Sequence, residues 1–548
     1  MAFMIKIALI FFIILNLISC NIKTKNSEIL QNHSNQKISS SYIGDYLTAN
    51  YSIIKGDAYT ASEILNKNLS SLKLLEIKFF SNLVSGNFDA ADKVSHKLKI
   101  NNKSNNLYNL PRYILKIKNN DLRGSLEVFK NQKLFFKLAD LNNLVKIWIK
   151  EKEQTQKHLS TNYYVNSSIH ELLILENFYN SNKLIKIADL IYENNNLNSN
   201  DFLLLAGFYF RVNDIEKSKE IIKTKLSSQF DKDHLLKDFS KENNMFNKVQ
   251  TLNLILASKI YNFLNEDNSK INNSYSYQKI LLEFSIFLEP KMDISKYALC
   301  EIYNFEKTYK TAFKILNSID ENSFFSLAAN LKKLSILKSN DMNKEYKNLL
   351  FKITNKWPKN KFVLYRLASY YKSKDRYQIS LNIYKKIVDR NDSTDRDIFL
   401  YASNLDKIGR WKEAKVFFLE LLKKNPHDTF TLNYLSYKLA LKNQELELAL
   451  NLIKKALNLD PDNAYFLDTL GWVQYKRNDF NSAVYFLEKS VSILPRSAEV
   501  IDHLGDCYLM LNRTKEAIFE WNKALKYETD KNIIQKINQK IIKYEQLL

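Results

Sequence analysis

Along most of the chain, apolar residues recur every three or four positions in runs of several turns, and short polar stretches separate the runs. That period belongs to helices with one buried face, and it predicts successive helices joined by tight turns. The pattern is most regular in the C-terminal third. There Leu470-Gly471, Ala483, Leu487 and Ser490 are matched 34 residues later by Leu504-Gly505, Ala517, Trp521 and Ala524. Upstream, Leu435-Ser436, Ala449, Ile453 and Ala456 give the same set, with one extra residue expected in the turn around Asn443 to Glu445. Ala402, Ala414 and Phe418 continue it, as do Leu367-Ala368, Tyr371, Ser380 and Tyr384. Pro cannot continue a helix, and Pro290, Pro358, Pro426, Pro461 and Pro495 follow one another at 68, 68, 35 and 34 residues. The predicted unit is a two-helix hairpin of about 34 residues. Small residues at the Gly and Ala positions let its helices approach closely, and large ones fill the gap to the next hairpin. A single hairpin cannot bury its apolar face, so the units must stack.

These positions resemble the tetratricopeptide repeat (TPR), in which Leu-Gly and an aromatic residue on the first helix are followed by Ala, a large residue and Pro around the second. The resemblance implies an all-α fold, a right-handed superhelical α-solenoid of TPR helix hairpins. Toward the N-terminus the pattern decays. Leu299-Cys300, Tyr303, Ala312 and Leu316 make one unit, Leu205-Ala206, Tyr209, Ser218 and Ile222 another, and Tyr46 to Leu65 a third, with small residues at Ala49 and Ala61. Cys300 and Cys507 are read as buried packing residues. The expected organisation is a degenerate helical-repeat region over 42–290, a regular array over 291–530 and a capping helix over 531–548, where Ile533, Ile534, Ile537 and Ile541 keep helical spacing. Leu226 to Asn247 and Asn265 to Ser274 are weaker stretches, expected to be longer turns or a change of path.

The N-terminus reads as an address. Lys6 precedes an apolar run from Ile7 to Ile18 broken only by Asn16. The run is shorter than the roughly 20 residues a permanent span requires, and suits the core of a signal peptide. Leu17-Ile18-Ser19-Cys20 resembles a bacterial lipoprotein lipobox, which implies removal of 1–19 and acylation of Cys20. Residues 20–41 then form a polar tether. Asn21 is not the Asp that retains enteric lipoproteins in the inner membrane, so the outer membrane is favoured, with the chain facing the periplasm. Further words, Asn433-Tyr434-Leu435, Asp468-Thr469-Leu470-Gly471-Trp472, Asp502-His503-Leu504-Gly505-Asp506 and Asp45-Tyr46-Leu47, resemble the TPR lipoproteins of alphaproteobacteria. That resemblance implies an envelope scaffold with protein or peptide partners and a membrane contact through the lipid. The chain departs from the group in having few glycines and in lacking Pro at the turns near Asn391 and Glu321.

Composition changes this picture little. A net charge of +22 raises an anionic polymer or nucleic acid as an alternative partner, but the excess is mostly Lys spread along the whole chain and forms no Arg-rich stripe. The 7 His residues never fall at metal-ligand spacing. His170-Glu171 opens a metalloprotease-like pair, but Ile174 stands where the second His would be. With 8 Gly and no phosphate-binding or nucleophile-elbow motif, neither catalysis, a metal, a cofactor nor a small-molecule substrate is expected.

What a solenoid offers is its inner surface. Counted from the Leu-Gly anchors, Asn433, Asp468 and Asp502 form a polar ladder with one rung per repeat. Tyr437, Trp472 and Asp506 stand four residues on, and Tyr475 one turn later. Aromatic rings beside hydrogen-bonding groups are the usual make-up of a peptide-binding hot spot. The ladder predicts a locally acidic groove for a segment presenting basic or neutral polar residues. Leu470, Gly471, Ala483, Leu504, Gly505 and Ala517 are assigned to packing. An accessory subunit of an envelope assembly, secretion or pilus machine is the other reading of the same surface.

Overall fold

The computed structural model describes residues 42–54, 56–66, 72–101, 106–130, 138–153, 168–193, 197–226, 252–263, 275–323 and 325–546. The signal segment 1–19, Cys20 and the tether to residue 41 lie outside these, as do residues 227–247 and 265–274 of the two weaker stretches. Among the described residues there are 28 α-helices and no strand. No helix among them is long and apolar enough to cross a membrane.

The chain divides into two compact units, 1–329 and 330–548, so the hairpin carrying Cys300 belongs to the first. In the second unit, hairpins run Lys361–Lys372 with Tyr377–Val388, Asp395–Lys407 with Trp411–Lys424, Thr429–Leu441 with Leu446–Leu459, Ala464–Lys476 with Phe480–Ile493, and Ala498–Met510 with Thr514–Leu525. Lys531–Glu545 closes the unit. Local chemistry sets these boundaries. Pro358, Pro426, Pro461 and Pro495 each end one helix two residues before the N-cap of the next, at Asn360, Asp428, Asn463 and Ser497. Asn360, Asp428 and Asn463 accept bonds from the first backbone N–H groups, the usual way to satisfy a helix start.

Between the helices of each hairpin one residue turns left-handed. These residues are Lys307, Asp341, Asp375, Gly409, Asn443, Asn478 and Asn512, at intervals of 34, 34, 34, 34, 35 and 34. Asn and Asp tolerate this conformation better than other side chains, which is how a chain so poor in Gly makes its turns. The 35-residue step holds a second left-handed residue, Glu445 at φ 44°, where the extra residue was expected.

The packing anchors fall where the ruler puts them. Ala402, Ala414, Phe418, Ser436, Ala449, Ala456, Ala483, Leu487, Ala517, Trp521 and Ala524 are wholly buried, as are Cys300 and Cys507. A Cβ on Gly471 would lie 2.6 Å from Leu487 Cγ and 3.2 Å from the Ala483 carbonyl, so contact across the hairpin requires Gly there. Where Ser replaces a small residue it bonds across the same gap: Ser436 Oγ donates to Ala449 O at 2.8 Å and Ser380 Oγ to Ala368 O at 3.0 Å.

The first unit is not a stack of nearest neighbours alone. Its opening hairpin, Tyr42–Ile54 with Ala58–Leu65, meets the helices Tyr275–Leu288 and Asp293–Phe305, more than 200 residues away. The Tyr59 hydroxyl donates to buried Glu283, and Lys279, ion-paired with Glu306, donates to the Gly56 carbonyl at 3.1 Å. Phe88 packs edge-on against Phe284 and Phe287, and Lys118 donates to Leu288 O at 2.8 Å. Even so, the unit around Leu205, Ala206, Tyr209, Ser218 and Ile222 is wholly buried, with Ser218 Oγ bonded to Ala206 O at 2.7 Å.

Candidate inner-face site

The predicted ladder lies on the first helices 429–441, 464–476 and 498–510, which touch one another as well as their own second helices. That contact changes the character of the rungs. The expectation of exposed positions is corrected: Asp468 and Trp472 are buried, and Asn433, Tyr437, Tyr475, Asp502 and Asp506 are half-buried. Asp468, Trp472 and Tyr437 reach the first helix of the last hairpin, and Asp502 and Asp506 reach the closing helix.

Two residues that sequence reasoning passed over organise the cluster. One is His503, whose Nδ1 lies 2.9 Å from Asp468 Oδ1. Its ring stacks on Trp472 at 4.1 Å between centroids, and Trp472 in turn stacks on Tyr475 at 4.7 Å and 5°. The Tyr437 hydroxyl spans two repeats to donate to Glu499 at 2.7 Å, its ring 6.3 Å from that of His503. The other is Lys540 on the closing helix, 2.8 Å from Asp502 and 2.6 Å from Asp506. Asp506 also accepts from Trp521 Nε1 at 3.1 Å. Lys540 stands 34 residues after Asp506, so the ruler extended by one step reaches it. For His503, next to a rung, sequence offered no comparable signal.

Electrostatics follow from this wiring. Burial opposes protonation of His503, but Asp468, with Glu499 and Asp502 behind it, outweighs burial and holds the imidazole pKa above its ordinary value. Burial and Asp502 push the Asp506 carboxyl up, against the pull of Lys540. Burial disfavours the Lys540 ammonium, yet Asp506 and Asp502 together raise its pKa. Burial and the nearby Asp506 push the Tyr475 hydroxyl up to about 12. The carboxylates of the expected acidic groove therefore have cationic or hydrogen-bonding partners, while Asp468, Glu499, Asp502 and Asp506 still outnumber His503 and Lys540.

Two polar atoms of the ladder are left over. Trp472 Nε1 and Asn433 Oδ1 are buried and have no hydrogen-bond partner among the described residues. No group of His, Cys, Asp and Glu among the described residues could hold a metal ion.

The anchors, the 34-residue left-handed turns and the hairpin contacts all carry the same signature. The array is of the tetratricopeptide type. No protein-family profile matches the chain. It is similar to a TPR repeat-containing protein of Methanocaldococcus jannaschii, 30% identical over 156 residues, which are 28% of this chain and 26% of that protein. It is also similar to a TPR repeat-containing protein of Pseudomonas aeruginosa, 33% identical over 86 residues, 16% of this chain and 14% of that protein. The chain thus spans under a third of the length of either relative. Among solved structures, a thermophilic TPR protein of Thermus thermophilus aligns with 32% of this chain and 96% of its own, at 21% identity and a TM-score of 0.30. Yeast Tom70 aligns with 92% of this chain and 96% of its own, at 13% identity and a TM-score of 0.34. In TPR terms, the ladder occupies the first helices of the last three repeats.

Proposed function

We propose that the chain is a lipid-anchored interaction scaffold of the bacterial cell envelope, which holds a protein segment along the inner row of its last repeats and catalyses no reaction. The observation that carries the binding reading is the unmatched pair on the ladder, the Trp472 donor and the Asn433 acceptor. Buried polar groups without partners are uncommon and cost about 1–3 kcal/mol each. With His503 and Lys540 already on the acids, a neutral polar segment or a bare stretch of backbone suits the row better than a basic tail. Anchoring is supported by the apolar run from Ile7 to Ile18 and by the lipobox-like Leu17-Ile18-Ser19-Cys20, and Asn21 favours the outer membrane. Acyl chains contribute about 0.8 kcal/mol per buried CH₂, enough to hold a soluble array at a bilayer.

A photo-crosslinker at position 475 of the full chain, in envelope fractions, tests the binding reading. A discrete protein adduct is expected, lost or weakened about fivefold by Trp472→Phe, which keeps ring packing and removes the N–H. An adduct unaffected by that change, or one equally strong from a crosslinker at exposed Ser492, sinks the assignment. Acyl-chain labelling that persists after Cys20→Ala sinks the anchor.

A further inference from the structure

The second helices of the C-terminal unit bury the sides that carry Ala414, Ala449, Ala483 and Ala517. Two residues on, about 200° around each helix, stand Val416, Asn451, Tyr485 and Phe519, facing solvent. They are equivalent positions, 35, 34 and 34 residues apart. The three apolar members are 53%, 53% and 67% exposed. At the C-terminal ends of the same hairpins Leu459, Ile493 and Tyr527 recur at 34 residues and are exposed as well. Single exposed apolar residues need no explanation, but rows repeated with the period of the fold form a surface.

Lysines frame these rows. Lys455, Lys489 and Lys523 stand one turn beyond Asn451, Tyr485 and Phe519, and the Lys489 ammonium sits 4.7 Å above the Tyr485 ring. Lys454, Lys455 and Lys489 make no ion pair among the described residues. The neighbouring acids are engaged inward or sideways: Glu447 with Arg477, Glu488 with the Tyr508 hydroxyl, Glu516 with Arg513 and Glu520 with Lys523. Glu420, Asp460 and Asp462 have no cationic partner among the described residues. The face therefore presents apolar and aromatic side chains between lysines, of which Lys455 and Lys489 make no ion pair among the described residues while Lys523 is paired with Glu520.

We propose that this outer face of residues 411–527 rests on an anionic lipid bilayer. Aromatic rings settle at the headgroup level, while lysine stems lie along them and carry the ammonium groups to the phosphates. An acidic polymer would be satisfied by the lysines alone and leaves the apolar rows without a role. The inference needs no acyl group at Cys20, and it leaves the inner row free.

The test uses the full chain carrying Cys20→Ser and one introduced cysteine, at Ser492 on the outer face or at Lys536 on the inner row. Cys300 and Cys507 are buried and stay unlabelled. The labelled chain is mixed with vesicles of phosphatidylglycerol and phosphatidylcholine that contain brominated lipid, and with vesicles of phosphatidylcholine alone. The expected result is quenching of the label at 492, not at 536, on the anionic vesicles, reversed by high salt. Tyr485→Ser with Phe519→Ser should weaken binding about tenfold without altering the helical spectrum, because both side chains are exposed. Each of Lys455→Gln and Lys489→Gln should weaken it about fivefold. Equal quenching at both positions, flotation without quenching at 492, or no flotation with anionic vesicles overturns the proposal. Binding to heparin that is indifferent to the aromatic changes would instead assign the face to soluble polyanions. A failed anchor reading shows separately, as loss of acyl labelling in the chain that keeps Cys20.

Discussion

At the scale of single residues, the array depends on a few positions where bulk is decided by tenths of an ångström. Gly471 is one, because any Cβ there meets Leu487 and the Ala483 carbonyl. Gly471→Ala is expected to destabilise the C-terminal unit by about 1–3 kcal/mol, read as a lowered urea midpoint at unchanged slope. His503 is another kind of key residue. Its folded pKa is raised by Asp468, so its contribution is fully present below the unfolded value near 6.5 and is lost as pH rises through the folded pKa. Stability of the natural chain relative to His503→Gln should therefore decline as pH is raised from about 6 upward. A difference that grows with pH would contradict the Asp468 pairing.

At the scale of elements, the closing helix does more than shield a surface. It was expected as a solvent-facing cap, and Ile537 and Ile541 do bury against the last hairpin, with Trp521 in the same cluster. Lys540 adds a polar function, since it is the cation of Asp502 and Asp506. Lys540→Met keeps the stem and removes the charge. It should cost about 1–2 kcal/mol, below the value for a fully buried pair because the ammonium is partly solvated. The cost should shrink in acid as the two carboxyls protonate, and thermal unfolding at pH 7 and pH 4 measures it. The turns carry the other lesson at this scale. A left-handed residue every 34 or 35 positions is supplied mostly by Asn and Asp, so the scarcity of Gly is a substitution of turn chemistry and leaves the repeat intact.

At the scale of the whole molecule, the two units hold together in different ways. The C-terminal unit is built from contacts between hairpins that are neighbours in sequence, and its closest long reach is Tyr437 to Glu499. The N-terminal unit brings its first hairpin against helices more than 200 residues later through Tyr59, Glu283, Lys279 and Gly56. Glu283 pays for that closure, its pKa pushed by burial from 4.5 to about 7. Protonation therefore favours the folded unit. The contribution is present below the unfolded value and is lost as pH rises toward 7. Glu283→Gln, which mimics the protonated acid and still accepts from Tyr59, should stabilise the first unit by about 1–3 kcal/mol above pH 7 and have little effect near pH 4. Hydrogen exchange of the 42–65 helices is the local readout.

The sequence by itself determined what is local and periodic: the helices, the 34-residue hairpin, the one-residue insertion before 446, and the burial of Leu470, Gly471, Ala483, Leu504, Gly505 and Ala517. These follow from helical period, Pro and cap chemistry, and the steric need for small residues, all of which act over a few residues and repeat. Tertiary structure alone decided the rest. Rungs that a ruler could only call inward-facing became a packed network, because first helices of adjacent repeats lie close enough for Trp472, His503 and Tyr475 to stack. The acidic ladder gained a cation in Lys540, which comes from the helix that follows the last hairpin. The return of the first hairpin onto residues 275–305 left no periodic trace, since contacts between distant segments depend on the path of the backbone and on buried charge, not on spacing along the chain.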